Sequence, residues 1–179
     1  MGDLDTNRKQ ILLLGVGNIL QSDDGVGVHV IEKMRDEITS DDVEVFDGGT
    51  AGLDLLSVID SRRTVLVVDA VDGGRAPGTV YRFTADDLDG KSLRLNSLHQ
   101  LGLLETLQMA SLLGRGPEQV VIIGVQPEVV DWAMELSDTV ARSVPGVIGQ
   151  VKKEIETARV SCYKEIAVTN DRGTRHERK

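Results

Sequence analysis

Cysteine is almost absent from this sequence, since Cys162 is the only one among 179 residues. A single thiol forms neither an internal disulfide nor a cluster of thiolate metal ligands within the chain. Cys162 is also a poor candidate nucleophile, because it lies at the start of a polar C-terminal stretch. Candidate metal ligands and catalytic groups must therefore be sought among oxygen- and nitrogen-bearing side chains.

Basic residues are scarce relative to acidic ones: the chain has 20 Lys and Arg but 29 Asp and Glu, and its formal net charge is -9. Nucleic acid and anionic membranes would repel such a chain, so we expect neither as a partner. Long apolar runs are missing too, because residues 1–9 are polar and the first apolar run is too short for a signal-peptide core or a membrane span. We therefore expect a cytoplasmic protein.

Two common hydrolase motifs are missing as well. A serine hydrolase of the nucleophile-elbow type needs GxSxG, and a zinc peptidase of the most familiar type needs HExxH; the sequence contains neither. Both classes are disfavoured, and any hydrolytic chemistry must come from groups that are distant in sequence.

Apolar runs alternate with segments of helical spacing through most of the chain. Ile11–Leu14, Thr64–Val68 and Gln119–Val125 are short and mostly apolar, which is typical of strands buried on both faces of a parallel sheet. This alternation predicts an α/β fold with three α/β/α layers and a twisted, mostly parallel central sheet in one domain. We assign the domain to residues 1–163 and expect residues 164–179, which are highly charged, to form a disordered tail.

Four further local predictions complete the fold. Thr79–Phe83 is predicted to be an edge strand, and Ser97 to cap a helix that ends near Leu113. Ser137 is expected to cap a short helical piece, and Pro145 to open a longer helix.

The segment after the first strand contains two glycines and two adjacent carboxylates. Gly15 and Gly17 permit a tight turn at the carboxyl end of the strand, where open α/β sheets bind their ligands. Apolar residues at helical spacing indicate that a helix starts near Asp24. Capping of this helix explains one of Asp23 and Asp24. We expect the other carboxylate to point into the crevice.

Asp69 and His99 are predicted at the same edge of the sheet. Asp69 follows the apolar run TVLVV, and a carboxylate there is expected to emerge at the carboxyl edge, either as a ligand or as a cap for backbone amides. His99 lies in the first turn of a predicted helix, whose dipole favours a neutral imidazole. Together with Asp24, these groups suit an open N/O site for a transition metal.

A dinucleotide-binding site is a competing interpretation of the glycine turn, with Asp47 as the ribose ligand. Leu20 stands where the third glycine of that motif belongs. The carboxylates of Asp23 and Asp24 would repel a pyrophosphate at this position. Nucleotide binding is therefore the weaker hypothesis.

Four motifs resemble those of one peptidase family. GVGNILQSDDGVG, DGGTAGLDLL, VLVVDAV and SLHQLGL occur in this order between Ile11 and Glu128. They are similar to the hydrogenase maturation endopeptidases, which trim the C-terminal extension from the nickel-containing large subunit of [NiFe]-hydrogenases. The resemblance implies a protease of aspartyl type whose partner is the large-subunit precursor.

The resemblance also implies particular site residues. Asp24, Asp69 and His99 correspond to the family's metal-binding and catalytic positions, and some members have glutamate at the first of these. Gly48 and Gly49 correspond to a turn that offers backbone amides to the tail of the precursor. The nickel is expected to arrive with the substrate, and we expect a monomer with no tightly held metal of its own.

The resemblance leaves the chemistry open at this stage. Nickel polarises the carbonyl or activates water in one mechanism, and an aspartate acts as general base in the other. A non-catalytic maturation chaperone that binds nickel or the precursor is the alternative function.

Overall fold

A computed structural model describes residues 10–84, 87 and 98–173, with side chains in these ranges except for 98–101 and 162–173. Its sheet has five strands in the order β2-β1-β3-β5-β4. The pairs β1–β2, β1–β3 and β3–β5 are parallel, and β4 runs antiparallel to β5 at one edge. The mostly parallel sheet and the edge strand are therefore confirmed. The strands are β1 (Ile11–Val16), β2 (Val43–Gly49), β3 (Thr64–Ala70), β4 (Val80–Thr84) and β5 (Gln119–Val125).

Helices cover both faces of this sheet, because alternate residues of its strands point to opposite sides. Leu13 of β1 packs in a cluster with α1 and the final helix, whereas Leu12 and Leu14 pack in a second cluster with α2 and α3. The predicted three-layer α/β/α architecture is confirmed. The α-helices are α1 (Val26–Arg35), α2 (Leu56–Ile59), α3 (Leu98–Leu112) and α4 (Asp138–Gly173); short 3₁₀ helices at Ser22–Gly25 and Leu53–Leu55 precede α1 and α2.

The C-terminal helix differs from its prediction. One helix runs from Asp138 to Gly173 with Pro145 inside it, instead of a short piece followed by a helix that opens at Pro145. Val144 and Val147 are buried on either side of the proline, so packing against the sheet offsets the hydrogen bond that proline cannot donate. Ser137 caps the helix as predicted, since its hydroxyl accepts a hydrogen bond from the Val140 N–H at 3.3 Å.

The predicted division after residue 163 does not coincide with the end of a helix. The backbone of 164–173, predicted as part of a disordered tail, continues α4, while 174–179 lie outside the described residues. Within the described part of the chain, no helix combines the length and apolarity needed to cross a membrane.

Candidate active site

Two glycines hold the loop after β1 close against the sheet. A Cβ atom on Gly17, whose φ is +133°, would lie 1.9 Å from the main-chain oxygen of Asp24. A Cβ atom on Gly27 would lie 2.2 Å from the main-chain oxygen of Val68 and 2.3 Å from that of Val16. The start of α1 and the preceding 3₁₀ helix therefore lie over the carboxyl ends of β1 and β3, as the glycine pattern predicts.

Asp23 does not cap α1 but joins two distant segments. Its carboxylate is fully buried and accepts hydrogen bonds from the N–H groups of Glu128 and Val129, both at 2.9 Å. It also accepts the N–H of Ser137 at 2.7 Å and its hydroxyl at 2.8 Å. Gly25 occupies the N-cap position of α1, without a side-chain cap. The expectation that one of Asp23 and Asp24 caps α1 is therefore wrong, and the Asp23 carboxylate instead binds amides more than 100 positions away in the chain.

Asp24 belongs to the Ser22–Gly25 helix, and its main chain lies beside Gly17, the residue that follows β1. Its side chain is 6% exposed, and its Oδ2 accepts a hydrogen bond from the N–H of Asn18 at 2.9 Å. This bond uses one of the loop amides that a bound pyrophosphate would require, and the Asp24 main chain fills the space beside Gly17. The geometry therefore disfavours the nucleotide-binding interpretation.

Asp69 lies at the same edge of the sheet. It is the penultimate residue of β3 and is 3% exposed, so it lies within the strand and not just after it as predicted. The parallel register places Gly15 of β1 opposite Val68, and the Ser22–Gly25 helix contacts β3. The structure thus places two buried carboxylates, Asp24 in this helix and Asp69 in β3, at the carboxyl edge of the sheet.

The backbone of His99 lies in the first turn of α3, and its side chain is outside the described residues. One turn later, α3 touches the chain that follows β2: a Cβ atom on Gly102 would lie 3.0 Å from the Cα of Gly52. The hydroxyl of Thr106 also donates a hydrogen bond to the main-chain oxygen of Gly52 at 3.1 Å. This contact fixes the N-terminal half of α3 beside the turn at the carboxyl end of β2.

Gly48 and Gly49, predicted in that turn, are instead the last two residues of β2, and Gly49 pairs with Val16 of β1. The N–H of Gly49 donates a hydrogen bond to the side chain of Asp47 at 2.9 Å, and its main-chain oxygen accepts one from the N–H of Gly17 at 2.8 Å. The end of β2 and the loop after β1 are therefore directly bonded. The role of the Gly48 and Gly49 amides toward a substrate stays a prediction.

Gln126 is a residue whose importance the sequence reasoning missed. Its buried side-chain oxygen accepts hydrogen bonds from the hydroxyl of Tyr81 at 2.7 Å and from the N–H of Gly73 at 2.9 Å. Its side-chain nitrogen donates one to Asp72 at 3.1 Å. Gln126 thereby connects the end of β5 to the segment that follows Asp69. Its position directly after the buried strand β5 is the sequence signal that marks it.

Among the described side chains, no three His, Cys, Asp or Glu residues form a group able to hold a metal ion. The side chain of His99 is outside that set, so the structure leaves the predicted three-residue ligand set as a prediction. What the described residues supply is a pair of buried carboxylates as oxygen donors.

Comparison with known proteins gives the family. The family model for hydrogenase maturation protease matches residues 28–154. The chain is 32% identical over 161 residues to hydrogenase 2 maturation protease of Escherichia coli (strain K12), covering 89% of this chain and 98% of that protein. It is 33% identical over 166 residues to the hydrogenase expression/formation protein HupD of Rhodobacter capsulatus, covering 91% of this chain and 79% of that protein.

Solved structures agree with this assignment. The hydrogenase maturating endopeptidase HybD from E. coli superposes with a TM-score of 0.78 at 34% identity, covering 83% of this chain and 93% of that chain. The maturation protease HybD from Thermococcus kodakarensis gives a TM-score of 0.67 at 25% identity over 80% of this chain and 97% of that chain. The chain thus belongs to the hydrogenase maturation protease family and is an endopeptidase of hydrogenase maturation, as the four motifs indicated.

Proposed function

We propose that this protein removes the C-terminal extension of a [NiFe]-hydrogenase large-subunit precursor after nickel insertion, and that it recognises the nickel carried by that precursor. The observation that supports this most is the placement of two buried carboxylates at the carboxyl edge of the sheet: Asp24 in the Ser22–Gly25 helix, which contacts β3, and Asp69 near the end of β3. Two carboxylates at one edge concentrate negative charge where a cation is attracted.

In this proposal Asp24, Asp69 and His99 contact the nickel ion of the substrate. Carboxylate and imidazole are suitable ligands for a divalent transition metal, and the precursor supplies the remaining ones. The bound ion thereby places the scissile peptide bond beside the same three residues, which are also our candidate catalytic residues. Gly48 and Gly49 form the end of β2 at this edge, and we propose that they bind the extension of the precursor through backbone amides.

Hydrolysis requires a water to attack the scissile carbonyl while a base takes its proton. An aspartate of the site is one candidate base, and polarisation of the carbonyl by the nickel of the substrate is the other activating effect. Precursor binding by Asp69→Asn separates them, because the amide keeps an oxygen donor for a metal but accepts no proton at neutral pH. If Asp69 acts only as a nickel ligand, loss of its negative charge weakens binding of the precursor together with cleavage. If the carboxylate is the base, this variant binds the precursor without cleaving it.

The experiment is incubation of the purified protein with nickel-loaded and nickel-free precursor, followed by mass spectrometry of the precursor. We expect loss of the C-terminal peptide only with nickel. Asp24→Asn, Asp69→Asn and His99→Ala should abolish the mass change, whereas Asp24→Glu should retain it because the donor type is kept. Asp54→Asn, at an exposed position of the Leu53–Leu55 helix, is the matched control.

Processing at the wild-type rate by Asp24→Asn, Asp69→Asn and His99→Ala alike would overturn the site assignment. Equal cleavage of nickel-free precursor would overturn the nickel recognition. Binding of the precursor without any mass change would instead favour the non-catalytic chaperone, a function that the protease names of the relatives do not support.

We further propose that the protein acts as a monomer in the cytoplasm. The acidic composition disfavours attachment to anionic membranes, and a single cysteine gives no internal disulfide that would require an oxidising compartment. Light scattering at working concentrations and cell fractionation test these two points.

A further inference from the structure

One exposed apolar surface lies beside the candidate active site. Trp132 is the only tryptophan of the chain and is 77% exposed; Met134 is 62% exposed and Val130 55%. Soluble monomers seldom expose large apolar side chains together unless the surface binds something. We name this surface the docking patch; it consists of Ile19, Leu20, Val129, Val130, Trp132 and Met134.

The docking patch is built from two segments that backbone hydrogen bonds hold side by side. The N–H of Ser22 donates to the main-chain oxygen of Ala133 at 2.7 Å, and the N–H of Ala133 donates to that of Leu20 at 3.2 Å. The buried carboxylate of Asp23 accepts hydrogen bonds from the N–H groups of Glu128 and Val129, at the start of the second segment. These bonds give the patch a fixed backbone, which lowers the entropy lost when a partner binds.

The patch is continuous in the chain with the candidate active site. Asp23, which organises the patch, directly precedes Asp24, and both belong to the Ser22–Gly25 helix. The N–H of Asn18, beside Ile19 of the patch, bonds to the Asp24 carboxylate. A protein seated on the patch therefore also reaches the carboxyl edge of the sheet, where a substrate must lie.

Acidic residues border the patch. Residues 126–141 contain no Lys, Arg or His but include the exposed Glu128, Asp131, Glu135 and Asp138. Residues 17–28 likewise contain no basic side chain. The patch therefore has an apolar centre and a negatively charged rim. Such a surface is complementary to an apolar surface bordered by Lys and Arg, since opposite rim charges steer association.

We propose that the docking patch binds the folded body of the large-subunit precursor, through an apolar surface of that protein bordered by basic residues. The proposal rests on the proposed function and adds to it a contact away from the scissile bond. A large exposed tryptophan next to a site that acts on a protein is the expected anchor of such a contact.

The first test measures cleavage kinetics of nickel-loaded precursor by Trp132→Ser and Val130→Ser. We expect KM to rise by about tenfold or more for Trp132→Ser, with kcat little changed, because a contact remote from the reacting atoms contributes to binding of both ground and transition states. Leu112→Ser is the matched control, since Leu112 is 82% exposed on α3 outside the patch. Thermal unfolding verifies that the variants are folded.

The second test concerns the acidic rim. Glu128→Lys and Glu135→Lys should slow association with the precursor, and added salt should weaken binding of the wild type more than that of these variants. Glu105→Lys, at an exposed position of α3, is the matched control.

Each outcome has a defined meaning. Normal cleavage with an unchanged KM for Trp132→Ser overturns the docking patch and leaves the proposed function standing. If the wild type binds the precursor but does not cleave it, and Trp132→Ser abolishes this binding, the result supports the patch and overturns the proposed function. A dimer of the wild type that Trp132→Ser converts to monomers overturns the proposal, because a second copy of the chain is then the occupant.

Discussion

Ser137 donates two hydrogen bonds to the carboxylate of Asp23, from its backbone N–H to Oδ1 at 2.7 Å and from its hydroxyl to Oδ2 at 2.8 Å. The same hydroxyl accepts the N–H of Val140 and so caps α4. A negative charge next to the N-terminus of this helix is also favoured by the helix dipole. One buried carboxylate thus connects the loop after β1, the segment after β5 and the start of the last helix.

We predict that Asp23→Asn lowers the free energy of unfolding by about 2–3 kcal/mol, because an amide cannot accept hydrogen bonds from donors on both sides and leaves buried N–H groups unpaired. Ser137→Ala should cost about 1 kcal/mol, since only the hydroxyl is lost. Urea unfolding followed by circular dichroism measures both. The exposed Asp54→Asn should change little, and an equally small effect of Asp23→Asn would contradict this role.

We predict that Gly102→Ala impairs cleavage more than it impairs folding. An alanine Cβ at this position would lie 3.0 Å from the Cα of Gly52, so the contact between α3 and the chain after β2 must widen by a few tenths of an ångström. We expect this to displace the first turn of α3, which contains the backbone of His99. The expected result is a cleavage rate about tenfold or more below wild type, since misplacement of a site residue is costly for catalysis.

Gly146→Ala is the matched control for Gly102→Ala. Gly146 also lies within a helix, but a Cβ there would meet nothing within 4 Å. It should raise the free energy of unfolding by up to about 1 kcal/mol through helix propensity and leave cleavage unchanged. Wild-type cleavage by both alanine variants would contradict a positioning role for the contact between Gly52 and Gly102.

The salt bridge between Asp42 and Arg159 predicts a contribution to stability that depends on pH. Arg159 donates hydrogen bonds to both carboxylate oxygens, at 2.7 and 3.0 Å, and lowers the pKa of Asp42 from 3.8 to about 2. Because the pKa is lower in the folded state, this contribution is fully present above pH 3.8 and is lost as the pH falls toward 2. The effect is small, because Asp42 is partly exposed.

Urea unfolding at a series of pH values tests this contribution. Asp42→Asn should lose less stability than the wild type between pH 3.8 and 2 and should be less stable above this window. Asp36→Asn, on an exposed residue just after α1, should follow the wild-type curve. If the free energy of unfolding of Asp42→Asn falls with pH in the same way as that of the wild type, the salt bridge contributes nothing measurable to stability.

The sequence predicts the layers of this fold well, and for a clear physical reason. Strands buried on both faces must be apolar throughout, so Gln119–Val125 is recognisable without any tertiary information, and the structure has the same bounds. The start of α4 was harder to predict, because a local rule puts proline at a helix opening whereas burial of Val144 and Val147 carries the helix through Pro145.

The candidate site also contains residues that the sequence identifies and a residue whose role only the fold reveals. Asp24 and Asp69 are identifiable because strand ends in parallel sheets carry polar groups toward ligands. The adjacent Asp23 looks the same in sequence, yet its partners are the amides of residues 128, 129 and 137, which no local pattern reveals. Only the fold separates the carboxylate that holds two loops together from the one that lies at the site.

Gln126 leads to the last prediction, which concerns the segment after Asp69. We expect Gln126→Ala to lower the free energy of unfolding by about 2 kcal/mol, since the hydroxyl of Tyr81, the N–H of Gly73 and the side chain of Asp72 each lose a buried partner. Cleavage should fall as well, because this segment directly follows Asp69 in the chain.

Gln126→Glu is the informative companion, because it keeps the accepting oxygen but places a carboxylate against Asp72. Repulsion between the two should make this variant less stable at neutral than at mildly acidic pH, where one of them is protonated. Unfolding curves that do not depend on pH in this way, together with unimpaired cleavage by Gln126→Ala, would contradict a role for Gln126 in positioning the segment.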